Sequence, residues 1–397
     1  MIVKKISIAF RRKLSGATYI SKKYLLGLKV NIISTFYGPG NIAKSANSPE
    51  LKLVETEINS IKYHIAVVQN GLIYTNRVNN ISVISAKLLV PFVSWQWDDH
   101  ELRRVPDNQN ALLTRKLRLS QLPKCIDSVV ISLLTGTPGN DNYYHWFFDC
   151  LTRLYLADLV AKSYQNIKYL IPDDIFPYQK QSLAQLGIDP SNYITSCDVN
   201  FVQSKLLIAS SYPNPELNDP PEWCIDFIRK SFLHLAEDTG NTNQLIYISR
   251  GDSIRSRRLI NENYLLSLLV PLGFRVFHLS KINFIDQITL FANAKIVVGV
   301  HGAGFTNLVF SQPGTIVCEI FGEAYQPVMY KKISNYLGLK YKAYYRAPYK
   351  KVIKSAEEVN EMWKYSNNIA DITISETDVN DIVNLTKDWL QPLKAPQ

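Results

Sequence analysis

Between Lys295 and Phe321 the chain reads KIVVGVHGAGFTNLVFSQPGTIVCEIF, two apolar runs separated by a glycine-rich turn. Ile296, Val297, Val298 and Val300 form a run without the alternation of a half-exposed strand, and Ile316, Val317, Cys318 and Ile320 repeat it. Runs of that kind belong to parallel strands buried on both faces, so the stretch is read as strand, loop, short helix, strand. His301, Gly302, Ala303 and Gly304 place almost no side-chain bulk at the end of the first strand, which lets backbone amides approach a ligand. A helix beginning near Phe305 would add its N–H groups and positive dipole end, an arrangement suited to phosphate. Gly299, Gly302 and Gly304 give the order G-x-x-G-x-G, which is not the dinucleotide fingerprint, and a tight structural turn is the alternative reading.

The segments around this stretch alternate in the same way. QLIYISR from Gln244, a helical NENYLLSLLVPLGF, FRVFHL from Phe274 and a helical FIDQITLFANA precede it. Further back, VVISLLTG from Val129, a helix over HWFFDCLTRLYLADLVAKS, IKYLIP from Ile167, a helix over PYQKQSLAQLGI and VQSKLLIAS from Val202 form a second alternating run. Alternation of this type predicts doubly wound α/β layers. Pro213, Pro215, Pro220 and Pro221 fall between the two runs and mark a linker or an interdomain crossover. Residues 50 to about 120 hold short candidate strands, including HIAVVQ, GLIYTNRV and ISVISAKLLVPFVSW, and read as a β-rich lead-in. Trp95, Trp97, Asp98, Asp99, His100 and Glu101 near its end either line a sugar site or form a loop with buried tryptophans. Val359, Met362 and Trp363, and later Ile382, Leu385, Trp389 and Leu390, have helical spacing and predict a helical tail. The expected division is a basic arm over 1–49, an acceptor-side domain over 50–235, a nucleotide-sugar-binding domain over 240–345 and the tail over 346–397. Two α/β domains in series create a cleft where ligands commonly bind.

Charge separates the ends of the chain. The formal net charge is +10, and nine of those charges sit in the first 49 residues with no acidic residue among them, so the remainder carries +1. A near-neutral body disfavours nucleic-acid binding. The basic arm, interleaved with Ile6, Ile8, Phe10, Leu14 and Tyr24–Leu26, is either a solvated segment or one that lies on an anionic membrane face. Its apolar pieces are shorter than the roughly 18 residues of a spanning helix. Five widely spaced cysteines without a C-x-x-C predict reduced thiols and a cytoplasmic setting. No H-E-x-x-H and no D-x-D occur, so no metal site and no cofactor is expected.

Two groups of side chains carry chemistry. His145, Asp149 and Arg153 are spaced i, i+4, i+8 along one side of a helix. A histidine held by a carboxylate suits a general base; a helix surface with a stabilising His–Asp pair and an exposed Arg153 is the alternative. Arg250 follows directly on a predicted strand, and Arg255, Arg257 and Arg258 follow within eight residues. Guanidinium groups at that sheet edge suit a diphosphate, against the alternative of a charged solvated loop. Glu319 near the end of the next strand is placed to accept from ribose hydroxyls, or is an ordinary strand-end carboxylate.

Taken together, NYYHWFFDCLTRL (142–154), YISRGDSIRSRRLINE (247–262) and VVGVHGAGFTNLVFSQPGTIVCEIF (297–321) resemble glycosyltransferase family 61 in order and spacing, over about 180 residues. The resemblance implies a GT-B-like α/β fold of two Rossmann-like domains facing each other across a cleft. It also implies an inverting, metal-independent transferase that takes a nucleotide-sugar as co-substrate and a saccharide or lipid-linked glycan as acceptor. Carried over by position, His145 and Asp149 match the H-W-x-x-D block, and Arg250, Arg257 and Arg258 match the arginines after the Y-I-S strand. His301, Gly302, Ala303, Gly304 and Asn307 match the H-G-A-G-x-x-N block, which is expected to hold the nucleotide diphosphate, and Glu319 matches the acidic residue after it. Thr152 departs from the family's proline before its arginine. The Lys, Ile and Asn usage is bacterial in character, and joined to it the resemblance implies a hexosyl- or pentosyltransferase of capsular or exopolysaccharide synthesis, with UDP-sugar the expected donor, at the inner face of the cytoplasmic membrane. A non-catalytic nucleotide- or glycan-binding protein that keeps the fold is the alternative function.

Overall fold

The computed structural model describes residues 47–48, 50–77, 80–85, 88–90, 92–98, 101–104, 122–135, 141–174, 176–214, 219–240, 244–252, 257–322, 326–346 and 371–394. The basic arm, Arg255, and the first tail cluster of Val359, Met362 and Trp363 lie outside the described residues. So do Asp99, His100 and the side chains of Trp97, Asp98 and Glu101.

The first half of the chain builds a twelve-stranded sheet. Its strands are β1 (Asn47–Ser48), β2 (Leu51–Ile58), β3 (Ile61–Gln69), β4 (Leu72–Thr75), β5 (Asn80–Ser85), β6 (Leu88–Leu89), β7 (Trp95–Asp98), β8 (Glu101–Arg104), β9 (Lys124–Ser132), β10 (Ile167–Ile171), β11 (Tyr193–Thr195) and β12 (Phe201–Ser210). The β-rich lead-in and the alternating layer expected within 50–235 meet in this one sheet. β12 pairs in parallel with β9, and β10 pairs in parallel with both β9 and β11. Yet Leu206–Ser210 of the same β12 pairs antiparallel with β3, and Phe201–Gln203 pairs antiparallel with β4. A ten-residue strand is long enough to serve two kinds of neighbour, so lead-in and parallel layer become one mixed sheet.

The second half follows the sequence reading more closely. β13 (Gln244–Ile248), β14 (Arg275–Phe277), β15 (Ala294–Val300), β16 (Ile316–Gly322) and β17 (Lys340–Arg346) form an all-parallel sheet in the order β14-β13-β15-β16-β17. The chain moves outward from β13 to β14 and then returns to the other side of β13, so the topological switch point lies between β13 and β15.

Both faces of this sheet are covered, as its continuous apolar strands require. Leu245, Tyr247, Ile296, Val298, Val300, Ile316, Cys318 and Ile320 pack with Leu265 and Leu269 of helix Glu262–Leu269 and with Val379, Ile382, Val383 and Leu390 of helix Glu376–Lys394. The tail therefore lies back over the sheet, tied there by a parallel bridge between Leu259 and Ile372. On the opposite face, Ile246, Ile248, Val297 and Val317 join a core cluster that continues into the first half through Phe147, Leu151, Ile171 and Ile208. Phe147 and Phe284 stack with centroids 5.1 Å apart, and Phe232 meets both edge-on at 5.9 and 5.2 Å. Phe232 ends helix Glu222–Phe232, which Pro221 introduces. The proline-rich segment thus leads into a helix whose apolar face, Ile225, Ile228 and Phe232, is buried between the halves.

Candidate active site

The chain after β9 enters its helix through an unusual backbone. Asn142 accepts hydrogen bonds from the N–H groups of Tyr144 and His145 and starts a single α-turn, Tyr143–His145. Trp146–Leu151 then runs as a π-helix, and α-helical geometry resumes at Arg153–Ala161. Short π segments inside helices concentrate at functional sites. At the break, the Thr152 hydroxyl donates to the Phe148 carbonyl.

His145 and Asp149 meet as the spacing predicts, with His145 Nδ1 2.5 Å from Asp149 Oδ2. The same oxygen accepts from Tyr212 Oη at 2.7 Å. Asp149 is 1% exposed, whereas the His145 side chain retains 17%. The reading of this segment as a helix surface with an exposed arginine is overturned. Arg153 is buried, its Nε donates to the Asp149 carbonyl at 3.0 Å, and its Nη1 donates to the Ser210 carbonyl at 2.8 Å. It fastens the helix to the end of β12, and burial lowers its pKa from the usual arginine value. Trp95 is buried and meets Tyr212 edge-on at 5.7 Å, so this tryptophan belongs to the core behind Asp149 rather than to a sugar site.

The glycine stretch and Arg250 come together at the switch point. Arg250 follows β13 and His301–Gly304 follow β15, on neighbouring strands. The Arg250 guanidinium lies directly on Gly302, where a Cβ would stand 1.8 Å from Nη1. Gly304 makes similar room for Leu279, whose Cδ1 would be 2.7 Å from an added Cβ. The helix expected near Phe305 begins at Ala303 and is of the tighter 3-10 type as far as Phe310. Its first amides face the same end of the sheet as Arg250.

Asn307 takes a different role from the one its block implies. It is fully buried, receives the Tyr143 hydroxyl on Oδ1 at 2.8 Å, and donates from Nδ2 to Gln287 Oε1 at 2.8 Å and to the Gly304 carbonyl at 3.1 Å. The residue holds the loop in shape and ties it to the first half, leaving no surface for a phosphate. Glu319 is likewise corrected as a ribose acceptor. It is 0% exposed, with Oε1 2.5 Å from His301 Nδ1 and Oε2 accepting from Tyr341 Oη at 2.6 Å. Burial pushes its pKa up to about 8, against the lowering effects of Tyr341 and Arg257. His301, 4% exposed, is held well below the ordinary histidine range by burial first and then by the positive fields of Arg257 and Arg250.

The two remaining arginines part company. Arg257, in left-handed backbone with φ 76°, turns toward the cluster whose members feel its field. Strained backbone of this kind gathers at functional sites. Arg258 is 59% exposed and pairs with Asp371 at 2.9 Å, which ties it to the segment before helix Glu376–Lys394.

Arg250, Arg257, Ala303 and Gly304 border a cleft of about 340 Å³ between the halves. The second half supplies Ser249, Arg250, Arg257, Leu279, Ala303 and Gly304, and the first half supplies Asp141–Tyr143, Phe176, Tyr178 and Gln181. One wall carries Arg250 and Arg257 together with Asp252, and the facing wall is aromatic, with Phe176 and Tyr178 stacked 5.5 Å apart and Tyr143 edge-on to Tyr178 at 4.8 Å. The His145 turn packs against helix Ala303–Phe310. Tyr330 bridges the histidines, edge-on to Tyr144 at 6.1 Å and 5.3 Å from the His301 ring. Tyr143, Tyr212, Tyr330 and Tyr341 were not legible as site residues, since a tyrosine in an apolar run carries no signal that separates it from core. Among the described residues no three His, Cys, Asp or Glu side chains gather in a metal-binding group, and no helix is long and apolar enough to cross a membrane.

Comparison with known proteins falls on this same region. Residues 143–318 match the family model described as Glycosyltransferase 61. A segment of 62 residues is 34% identical to a beta-1,2-xylosyltransferase of Arabidopsis thaliana, covering 16% of this chain and 12% of the relative. A segment of 61 residues is 38% identical to beta-1,2-xylosyltransferase RCN11 of Oryza sativa subsp. japonica, covering 15% of this chain and 11% of the relative. The aligned segments thus span about one eighth of the length of these relatives.

Proposed function

We propose that the chain is a glycosyltransferase that moves a sugar from a nucleotide-sugar, UDP-linked in the simplest reading, to a hydroxyl of a glycan acceptor with inversion at the anomeric carbon. The observation that carries the reading is a cleft walled by Arg250, Arg257 and the glycine loop, with the turn that carries the His145–Asp149 pair packed against the helix that follows that loop, within the residues that match the family. The matched relatives are xylosyltransferases by name, which supports a pentosyl or hexosyl donor.

His145 is the base in this mechanism and Asp149 orients it. Asp149 is buried and its Oδ2 already takes two hydrogen bonds, so it holds the imidazole with Nδ1–H toward itself and leaves the Nε2 lone pair for the acceptor. The acceptor oxygen forms its bond to the anomeric carbon as its proton passes to Nε2, and the bond from that carbon to the diphosphate oxygen breaks with its electron pair. Arg250, Arg257 and the amides after Gly302 stabilise the charge that develops on the departing diphosphate. Metal independence follows as part of the proposal, because guanidinium groups supply the positive charge that a divalent ion supplies elsewhere. A lipid-linked bacterial glycan is the acceptor class that the basic first 49 residues suit.

The test is nucleotide release from UDP-, GDP- and CMP-sugars by purified protein, with and without EDTA, beside thermal shifts with the free nucleotides. A ligand at 100 times its Kd stabilises by about 2.7 kcal/mol. A shift with release that survives EDTA is expected; a shift without release under any acceptor would assign a binding protein instead.

A further inference from the structure

The side chains behind the anion site form a hydrogen-bonded cluster centred on Glu319. Glu319 has three neighbours that matter: His301 Nδ1 at 2.5 Å, Tyr341 Oη at 2.6 Å, and the positive field of Arg257. His301 in turn lies in the fields of Arg257 and Arg250, with the rings of Phe321 and Tyr330 at 5.0 and 5.3 Å. Among the described residues, the charged and phenolic groups facing the pair include Arg250, Arg257, Tyr330 and Tyr341, contributed by the segments after β13 and before helix Glu262–Leu269, by helix Met329–Tyr336 and by β17.

We propose that Glu319 and His301 act as one unit that retains a single proton and so presents His301 Nε2–H to a bound diphosphate, with Glu319 a positioning residue that never touches the ligand. This rests on the donor-site reading above and deepens it. Two distributions of the proton are possible. In one, Glu319 Oε1–H donates to a neutral imidazole; in the other, an imidazolium donates from Nδ1 to a carboxylate. Nε2 carries hydrogen in both. Once the unit loses its proton, the remaining imidazole hydrogen is held at Nδ1 by the carboxylate, and Nε2 turns from donor to acceptor, which repels a phosphate oxygen. Burial and the two guanidinium groups disfavour the imidazolium form, which places the shared proton on Glu319, in keeping with a carboxyl that stays protonated to about pH 8. Above that pH the diphosphate binds only by taking up one proton from solution, and that proton returns to solution when the nucleotide leaves.

Calorimetry with inorganic pyrophosphate, a probe that needs no knowledge of the base, tests this between about pH 6.5 and 9.5 in buffers of different ionisation enthalpy. Pyrophosphate itself ionises in this range, so the wild-type Kd is read against that of Glu319→Gln at each pH; the ratio is expected to stay level up to about pH 8 and then to weaken about tenfold per unit, with uptake of one proton more than the variant takes up. In Glu319→Gln the amide N–H donates to Nδ1 and the amide oxygen accepts from Tyr341, which mimics the protonated carboxyl and locks Nε2–H, so its binding is expected to follow the ionisation of pyrophosphate alone. Tyr341→Phe removes a hydrogen bond that favours the carboxylate, and the inflection is expected to move upward. A ratio of wild-type to Glu319→Gln affinity that stays level over the whole range overturns the inference while leaving the donor site in place. Absence of pyrophosphate and nucleotide binding to the wild type overturns both.

Discussion

The guanidinium of Arg250 rests on the backbone of Gly302 with no room between them, so that a Cβ on Gly302 would stand 1.8 Å from Nη1. Gly302 has an extended backbone with φ 178°, which any residue adopts, and its lack of a side chain is therefore a matter of space and not of conformation. Gly302→Ala is expected to displace Arg250 with little loss of stability and to lower kcat about 10²–10³-fold, the scale of removing one donor to a developing anion. Arg250→Ala should cost about as much, and the double variant little more than either, because both changes remove the same interaction. Steady-state kinetics on the three variants decide it; additive losses would separate the two residues.

For His145 the expected signature lies in kcat. His145→Ala should lower kcat about 10²–10⁴-fold with KM for the donor nearly unchanged, since the imidazole acts on the acceptor hydroxyl and not on the nucleotide. Tyr212→Phe leaves the pair in place but removes one of the two hydrogen bonds on Asp149 Oδ2, so a loss nearer tenfold is expected. A His145→Ala enzyme with wild-type kcat would remove this residue from the mechanism.

The parts of this site that were legible in the sequence are those set by local spacing. The i, i+4 separation of His145 and Asp149 brings the two together even though the backbone between them is π-helical, and the apolar runs around the glycines specified β15 and β16 directly. Pairing across long separations was not legible. Nothing in VQSKLLIAS indicates that one strand will pair with β9, β3 and β4 at once. Likewise Arg257 and Arg258 are equivalent as sequence, and what separates them is Asp371, more than one hundred residues away, which takes Arg258. Glu319 did carry a usable signal. It alternates with Cys318 and Ile320, which face the tail helix, so it must point with Val317 toward the other apolar cluster, where a carboxylate needs dedicated partners.

Asn307 and Tyr143 should prove to be a stability determinant that also affects catalysis. Tyr143→Phe keeps the ring against Phe147 and Tyr178 but leaves Asn307 Oδ1 without its donor inside the protein. An unmet buried acceptor costs about 1–3 kcal/mol, which urea denaturation will register as a lower midpoint at unchanged slope. Because Asn307 also holds the Gly304 carbonyl, activity should fall together with stability; a fall in stability without any change in activity would show that the loop keeps its shape independently of this contact.

The Glu319–His301 pair makes a prediction about stability that needs no ligand. Glu319 is raised from an ordinary 4.5 to about 8, so the folded protein binds more protons than the unfolded chain between those values. Its contribution is fully present below about pH 4.5 and is lost as pH rises through about 8. His301 is shifted the other way, well below 6.5, so its contribution is present above pH 6.5 and is lost on acidification. The two effects oppose each other in mildly acid solution, and between pH 6.5 and about 8 only Glu319 remains in play. Glu319→Gln cannot ionise, so its melting temperature should match the wild type below about pH 4.5, exceed it progressively as pH rises from there, and hold a constant lead above about pH 8. Melting curves that stay parallel across this range would mean that the Glu319 carboxyl ionises alike in the folded and unfolded states, and the proton-holding role of the pair would fall with it.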